Sequence, residues 1–127
     1  MADTTAYIPG VCNINRAEIA YRRKWAFIGL GLTVVIAAML FALHVNRWVR
    51  VVLFLPAFIA AIGYLQTKNK FCVTYGAAGQ QNAAEGSAKA QAVTDAVAAA
   101  KDKAKARTMN AQAAIAAVIV AAVAIAV

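Results

Sequence analysis

The sequence predicts an all-α membrane protein: a transmembrane helical hairpin, then an alanine-rich amphipathic helix and a C-terminal hydrophobic helix. Three observations predict this class. Hydrophobic residues make up 63% of the 127 positions, with a mean hydropathy of +0.65, against roughly 45–50% apolar residues in soluble domains. Two windows of helical length, residues 25–45 and 51–66, contain no Asp, Glu, Lys or Arg, which is what hydrocarbon selects for, since an ionised group there is costly. The 13 basic residues, set against 5 acidic ones, are bunched at the feet of those windows rather than spread over a surface.

Residues 1–15 form an N-terminal segment. Its first ten residues are small and polar, end in Pro9-Gly10, and lack the apolar core of a secretory signal, so no cleaved leader is expected. Cys12 follows no hydrophobic stretch, which argues against a lipid-modified cysteine behind a signal peptide. Asn15, with Glu18 three residues on, marks a helix start with a capping box, and Arg22 lies four beyond Glu18 for a weak ion pair. The helical hairpin is expected over residues 16–70. Its first span, residues 25–45, is about 31 Å long as a helix, matching a ~30 Å hydrocarbon core. A tight turn at "HVNRWVR" leads into the second span, 51–66, which is short unless Trp48 and Arg50 snorkel at its start and which Pro56 is expected to kink.

After the hairpin, residues 71–87 have linker composition. Residues 88–110 read as an alanine- and lysine-rich helix with a narrow seam of Val93, Val97, Ala100 and Ala104. Residues 111–127 are a charge-free helix of about 25 Å, marginal for crossing a membrane alone; insertion is expected, with packing on other helices as the alternative. Alanine contributes little to insertion, but small side chains let helices approach closely, so Ala117, Ala121 and Ala124 are expected to pack against protein.

Orientation follows from the basic residues. Arg16, Arg22, Arg23 and Lys24 precede the first span and Lys68 and Lys70 follow the second, whereas the turn carries only Arg47 and Arg50. Basic flanks stay cytoplasmic, so both feet of the hairpin are expected inside, at a bacterial inner membrane. Eleven of the 13 basic residues then lie on one side, and the net charge of +8 is a topology signal first and an attraction for anionic lipid headgroups second. No base-reading motif accompanies that charge, so nucleic acid is not an expected partner. Trp25, Trp48 and Tyr64 read as membrane-interface anchors.

The chain holds two cysteines, Cys12 and Cys72, one at each foot of the hairpin. A hairpin brings its flanks together whatever their chemistry, and with both flanks helical the two would differ in depth by roughly 9 Å, so the first flank would have to bend to align them. A reducing cytoplasm disfavours a disulfide, and a metal site would need further ligands, while the one histidine, His44, lies at the opposite face. Packing cysteines are the expectation, with thiol redox or metal chemistry at Cys12 and Cys72, or lipidation, as alternatives. Gly29, Gly31 and Thr33 offer a small-residue face on the first span.

"PGVCNINRAEIAYRRK" and "FCVTYGAAGQQN", spaced by a two-helix hairpin, resemble the pattern C-N-I…R-R…P…F-C of small bacterial two-helix membrane proteins. The resemblance covers about residues 9 to 82 and implies a membrane hairpin and no activity.

No nucleophile–base pair, phosphate loop or ligand cluster stands out, and no cofactor is expected. The leading expectation is a non-catalytic structural membrane protein, an accessory subunit of a larger membrane complex or a self-associating component. Its partners would be the lipid bilayer and other membrane subunits or further copies of itself. A thiol-based redox or metal-handling protein is one alternative, and a lipid-binding or membrane-shaping protein another.

Overall fold

A computed structural model describes residues 7–86 and 89–127. The first six residues of the expected N-terminal segment, and positions 87–88 where linker was expected to meet helix, lie outside the described residues. Among the described residues, three helices are long and apolar enough to cross a membrane: Arg16–Ala42, Arg47–Asn69 and Ala96–Ala126.

Helix α1 (Arg16–Ala42) starts where Asn15 caps it, its Oδ1 accepting from the Glu18 N–H at 3.0 Å. The reciprocal half of the capping box does not form. The Asn15 N–H donates to the Asn82 carbonyl at 2.9 Å instead, and the Glu18 carboxylate turns inward. The helix ends before the expected residue 45, because His44 adopts a left-handed φ of 54° and reverses the chain. Asn46 then caps a 3₁₀ segment, Arg47–Leu53, that leads directly into helix α2 (Phe54–Asn69). The second long segment therefore starts at Arg47 rather than Val51, and it spans about 38 Å from seven 3₁₀ and sixteen α-helical residues. Pro56 sits in the first turn of α2, just past the 3₁₀-to-α changeover, a position that tolerates its missing N–H.

Lys70, at φ 54°, terminates α2, and residues 71–86 of the expected linker are structured. They hold a short helix α3 (Val73–Ala78) and strand β1 (Gln80–Gln81), which pairs antiparallel with β2 (Gln91–Ala92) in the register Gln80 to Ala92 and Gln81 to Gln91. The alanine-rich region is in part strand because Asp95, not residue 88, caps the last helix, accepting from the Val97 N–H at 3.1 Å.

Helix α4 (Ala96–Ala126) runs for 31 residues, about 46 Å, with no break at residues 110 and 111. The separate amphipathic and hydrophobic helices expected there are one rod, since nothing between Arg107 and Ala114 breaks a helix. Its buried stripe is Ala98, Asp102, Ala106, Met109, Ala113, Ala117, Ala121 and Ala124. The expected seam is not the buried one: Val97, Ala100 and Ala104 are exposed. An acidic residue, Asp102, sets the true face, and hydrophobic periodicity would turn that face outward.

Helix α2 lies between α1 and α4, packing on both. At the basic end, Phe71, Ala106 and Met109 form a buried cluster against Ile62, Leu65 and Val73. At the turn end, Arg50 stacks 4.1 Å over the Phe41 ring and donates to the Ala124 carbonyl at 3.0 Å. That cation stands where the dipole of α4 is negative.

Candidate functional site

The densest polar chemistry lies at the basic end, where residues 7–15, α3, the segment after it and the start of α4 converge on the foot of the hairpin. Asn13 is fully buried at its centre. Its N–H donates to the Lys70 carbonyl at 3.1 Å, and its carbonyl accepts from the Asn82 N–H at 2.7 Å. Its side chain clamps the Cys72 backbone from both sides, accepting the Cys72 N–H at 2.7 Å and donating to the Cys72 carbonyl at 3.2 Å. An asparagine suits this position because one amide offers a donor and an acceptor side by side. Asn15 Nδ2 adds a bond to the Ala84 carbonyl at 2.8 Å, so residues 13–15 run alongside Asn82 as a short parallel bridge.

Beneath this strap Glu18 collects three partners. Its carboxylate accepts from Tyr75 Oη at 2.7 Å and Asn82 Nδ2 at 2.8 Å, and pairs with Arg22. The expected weak surface pair is thus an enclosed one, with 12% and 17% of the two side chains exposed. Arg22 Nη2 also donates to Cys72 Sγ at 3.0 Å, and its guanidinium lies 5.7 Å from the centre of the Tyr75 ring. Burial, and then the bond to Glu18, push the Tyr75 phenol above its ordinary value.

A second tie joins the N-terminal segment to α4. Asp102 is fully buried and accepts from Tyr7 Oη and the Gly10 N–H, both at 2.7 Å. Glycine suits this position because its φ is +72°, and a Cβ would also stand close to Lys101 Cβ, at 3.3 Å. Burial, and then the Asp102 carboxylate, hold the Tyr7 proton well above the ordinary tyrosine range.

Cys12 and Cys72 form no disulfide and are 3% and 2% exposed. The first flank does bend: residues 7–15 are not helical, and a turn at Gly10 brings Asn13 onto Cys72. Arg22 is engaged inside this polar cap at the basic end, unlike the other five residues of the expected basic flank. Arg16 makes an exposed ion pair with Glu85 at 3.9 Å, while Arg23, Lys24, Lys68 and Lys70 are exposed. Trp25 packs edge-on against Tyr21 at 6.3 Å, and Trp48 and Tyr64 are exposed, Trp48 at the turn end. Ala117, Ala121 and Ala124 lie on the buried stripe of α4.

Sequence reasoning missed Tyr7, Asn13, Tyr75, Asn82 and Asp102. A usable signal existed: the chain has only 5 acidic residues, and Asp102 stands alone within a lysine run, where a purely solvated face needs no acid. Among the described residues, no three His, Cys, Asp or Glu come together as a metal would require. No protein family, curated protein or solved structure matches this chain.

Proposed function

We propose that the chain is a non-catalytic structural membrane protein, an accessory subunit of a larger membrane complex or a self-associating component, with both hairpin feet in the bacterial cytoplasm. One observation carries this reading. The buried polar side chains at the basic end bond to one another and to backbone, tying the segment 7–15, α3 and α4 together, while the long helices turn broad apolar faces outward. Phe27, Val34 and Val35 on α1, Leu55 on α2, and Ile119 and Val123 on α4 are all exposed. Faces of that extent are covered by lipid or by neighbouring protein. Purification in mild detergent, with identification of whatever co-migrates, tests the reading: a stoichiometric neighbour or a defined oligomer supports it, and a lone monomer counts against it.

Thiol chemistry at Cys12 and Cys72 keeps one observation in its favour, the hydrogen bond from Arg22 to Cys72 Sγ. Loss of a bound metal or of colour on replacing both cysteines with serine would put that reading first.

A further inference from the structure

A groove of about 590 Å³ opens along the seam of α1 and α2 and reaches α4. Its walls are almost wholly apolar, with Ala26, Leu30, Ala61, Ala116 and Val120 among them. Arg23 and Thr67 stand at one end, and Thr33 and Ala57 at the other. From Arg23 to Thr33 the groove follows ten residues of helix, about 15 Å, which is half of a ~30 Å hydrocarbon core and so the depth of one leaflet. Tyr64, exposed beside the Arg23 end, belongs at the headgroup level.

Arg23 is exposed and has no carboxylate partner among the described residues, because Glu18 is taken by Arg22 and Glu85 by Arg16. We propose that the groove holds one acyl chain of an anionic phospholipid whose phosphate rests on the Arg23 guanidinium. The site rests on the membrane reading above and names its ligand. Charge selects this occupant. A guanidinium at the mouth of an apolar slot suits a phosphate, which it can engage through two parallel N–H groups.

The full chain is first washed in membranes with alkaline carbonate, then released in mild detergent. It is offered equal amounts of phosphatidylglycerol and phosphatidylcholine, and bound lipid is read by native mass spectrometry. Retention through the wash, followed by one phosphatidylglycerol held per chain in preference to phosphatidylcholine, is the expected result. Arg23→Gln weakens retention about five-fold, as one headgroup contact is lost. Ala116→Phe, at an exposed groove position, removes retention of either lipid by filling the slot. Release by the wash overturns the membrane reading and the lipid with it. Retention in the membrane with equal binding of both lipids, indifference to either substitution, or a lipid-free dimer overturns the lipid site alone.

Discussion

Gly29 on α1 lies directly against Ala60 on α2: a Cβ at Gly29 would stand 2.5 Å from the Ala60 nitrogen. Gly63 repeats the relationship against Ala26, at 2.8 Å. Each glycine carbonyl also accepts from the threonine four residues on, Thr33 at 2.7 Å and Thr67 at 2.8 Å. The two helices share the string Ala-x-Ile-Gly-x-x-x-Thr, at residues 26–33 and 60–67. Because they run antiparallel, the repeat gives the hairpin a local two-fold symmetry. Close backbone approach of this kind holds helices together in lipid, where no hydrophobic drive exists between them.

Leucine at Gly29 or Gly63 is therefore expected to separate the hairpin, costing at least the ~1–3 kcal/mol typical of overpacking, since backbone rather than a flexible side chain stands in the way. Gly31→Leu is the control, because nothing lies within 4 Å of a Cβ there. Thermal unfolding in detergent separates the two cases: equal midpoints for Gly29→Leu and Gly31→Leu would sink the close-packing account.

Legibility in the sequence was uneven for physical reasons. The long helices follow from hydropathy and length, and the start of α1 from Asn15, because these are local properties. The small-residue face read on Gly29, Gly31 and Thr33 is only partly the contact face: Gly29 is buried against α2 while Gly31 is open, and that choice depends on where α2 lies. Spacing alone hides this, whereas the repeat around Gly29 and Gly63 announces it. The cap was the least legible part. Asn13 bonds to Lys70, Cys72 and Asn82, partners 57 to 69 positions away, and no local pattern encodes such pairings.

Asn13→Ala removes both side-chain bonds to the Cys72 backbone and strands a buried N–H and a buried carbonyl, each worth about 1–3 kcal/mol when unsatisfied. Limited proteolysis after Lys68 and Lys70 measures the outcome. Cleavage there is expected to rise strongly in the variant, and protection equal to the parent's would show that the clamp contributes nothing.

Burial of both thiols changes how orientation must be measured. Cys12 and Cys72 are expected to resist an impermeant maleimide from either side of the membrane until the chain is denatured. A Cys12→Ser, Cys72→Ser background carrying Lys68→Cys or Trp48→Cys places one thiol at an exposed foot or in the exposed turn. In intact cells the turn thiol labels and the foot thiol does not; the reverse pattern inverts the topology.

Alkaline pH is expected to loosen the cap. Tyr7 and Tyr75 hold their protons more tightly folded than unfolded, so the unfolded chain binds fewer protons once the pH passes the ordinary tyrosine value of about 10. Their contribution is complete below that value and is lost as pH climbs from it toward the raised folded values. Unfolding midpoints followed upward from about pH 9 should fall more steeply for the parent than for Tyr7→Phe, Tyr75→Phe. Parallel curves would remove the two phenols from the account.

The alanines of α4 decide how its distal half is held. Ala117, Ala121 and Ala124 fall on the stripe that begins at Ala98 and Asp102, and all three are buried, while Ala116 and Ala122 on the same turns are exposed. Leucine favours lipid more than alanine does, so on an exposed face it strengthens insertion, whereas on the buried stripe it forces α4 away from α2. Displacing α4 at Ala124 also draws its carbonyl from Arg50, whose guanidinium is packed on Phe41 and has little freedom to follow. Leucine at Ala117, Ala121 and Ala124 together is expected to lower the unfolding midpoint and release the turn end of α4 to protease, while Ala122→Leu leaves both unchanged. If the buried-stripe variant is as stable as the parent and as the exposed-face control, α4 is held by lipid alone, and its small side chains have no part in docking it.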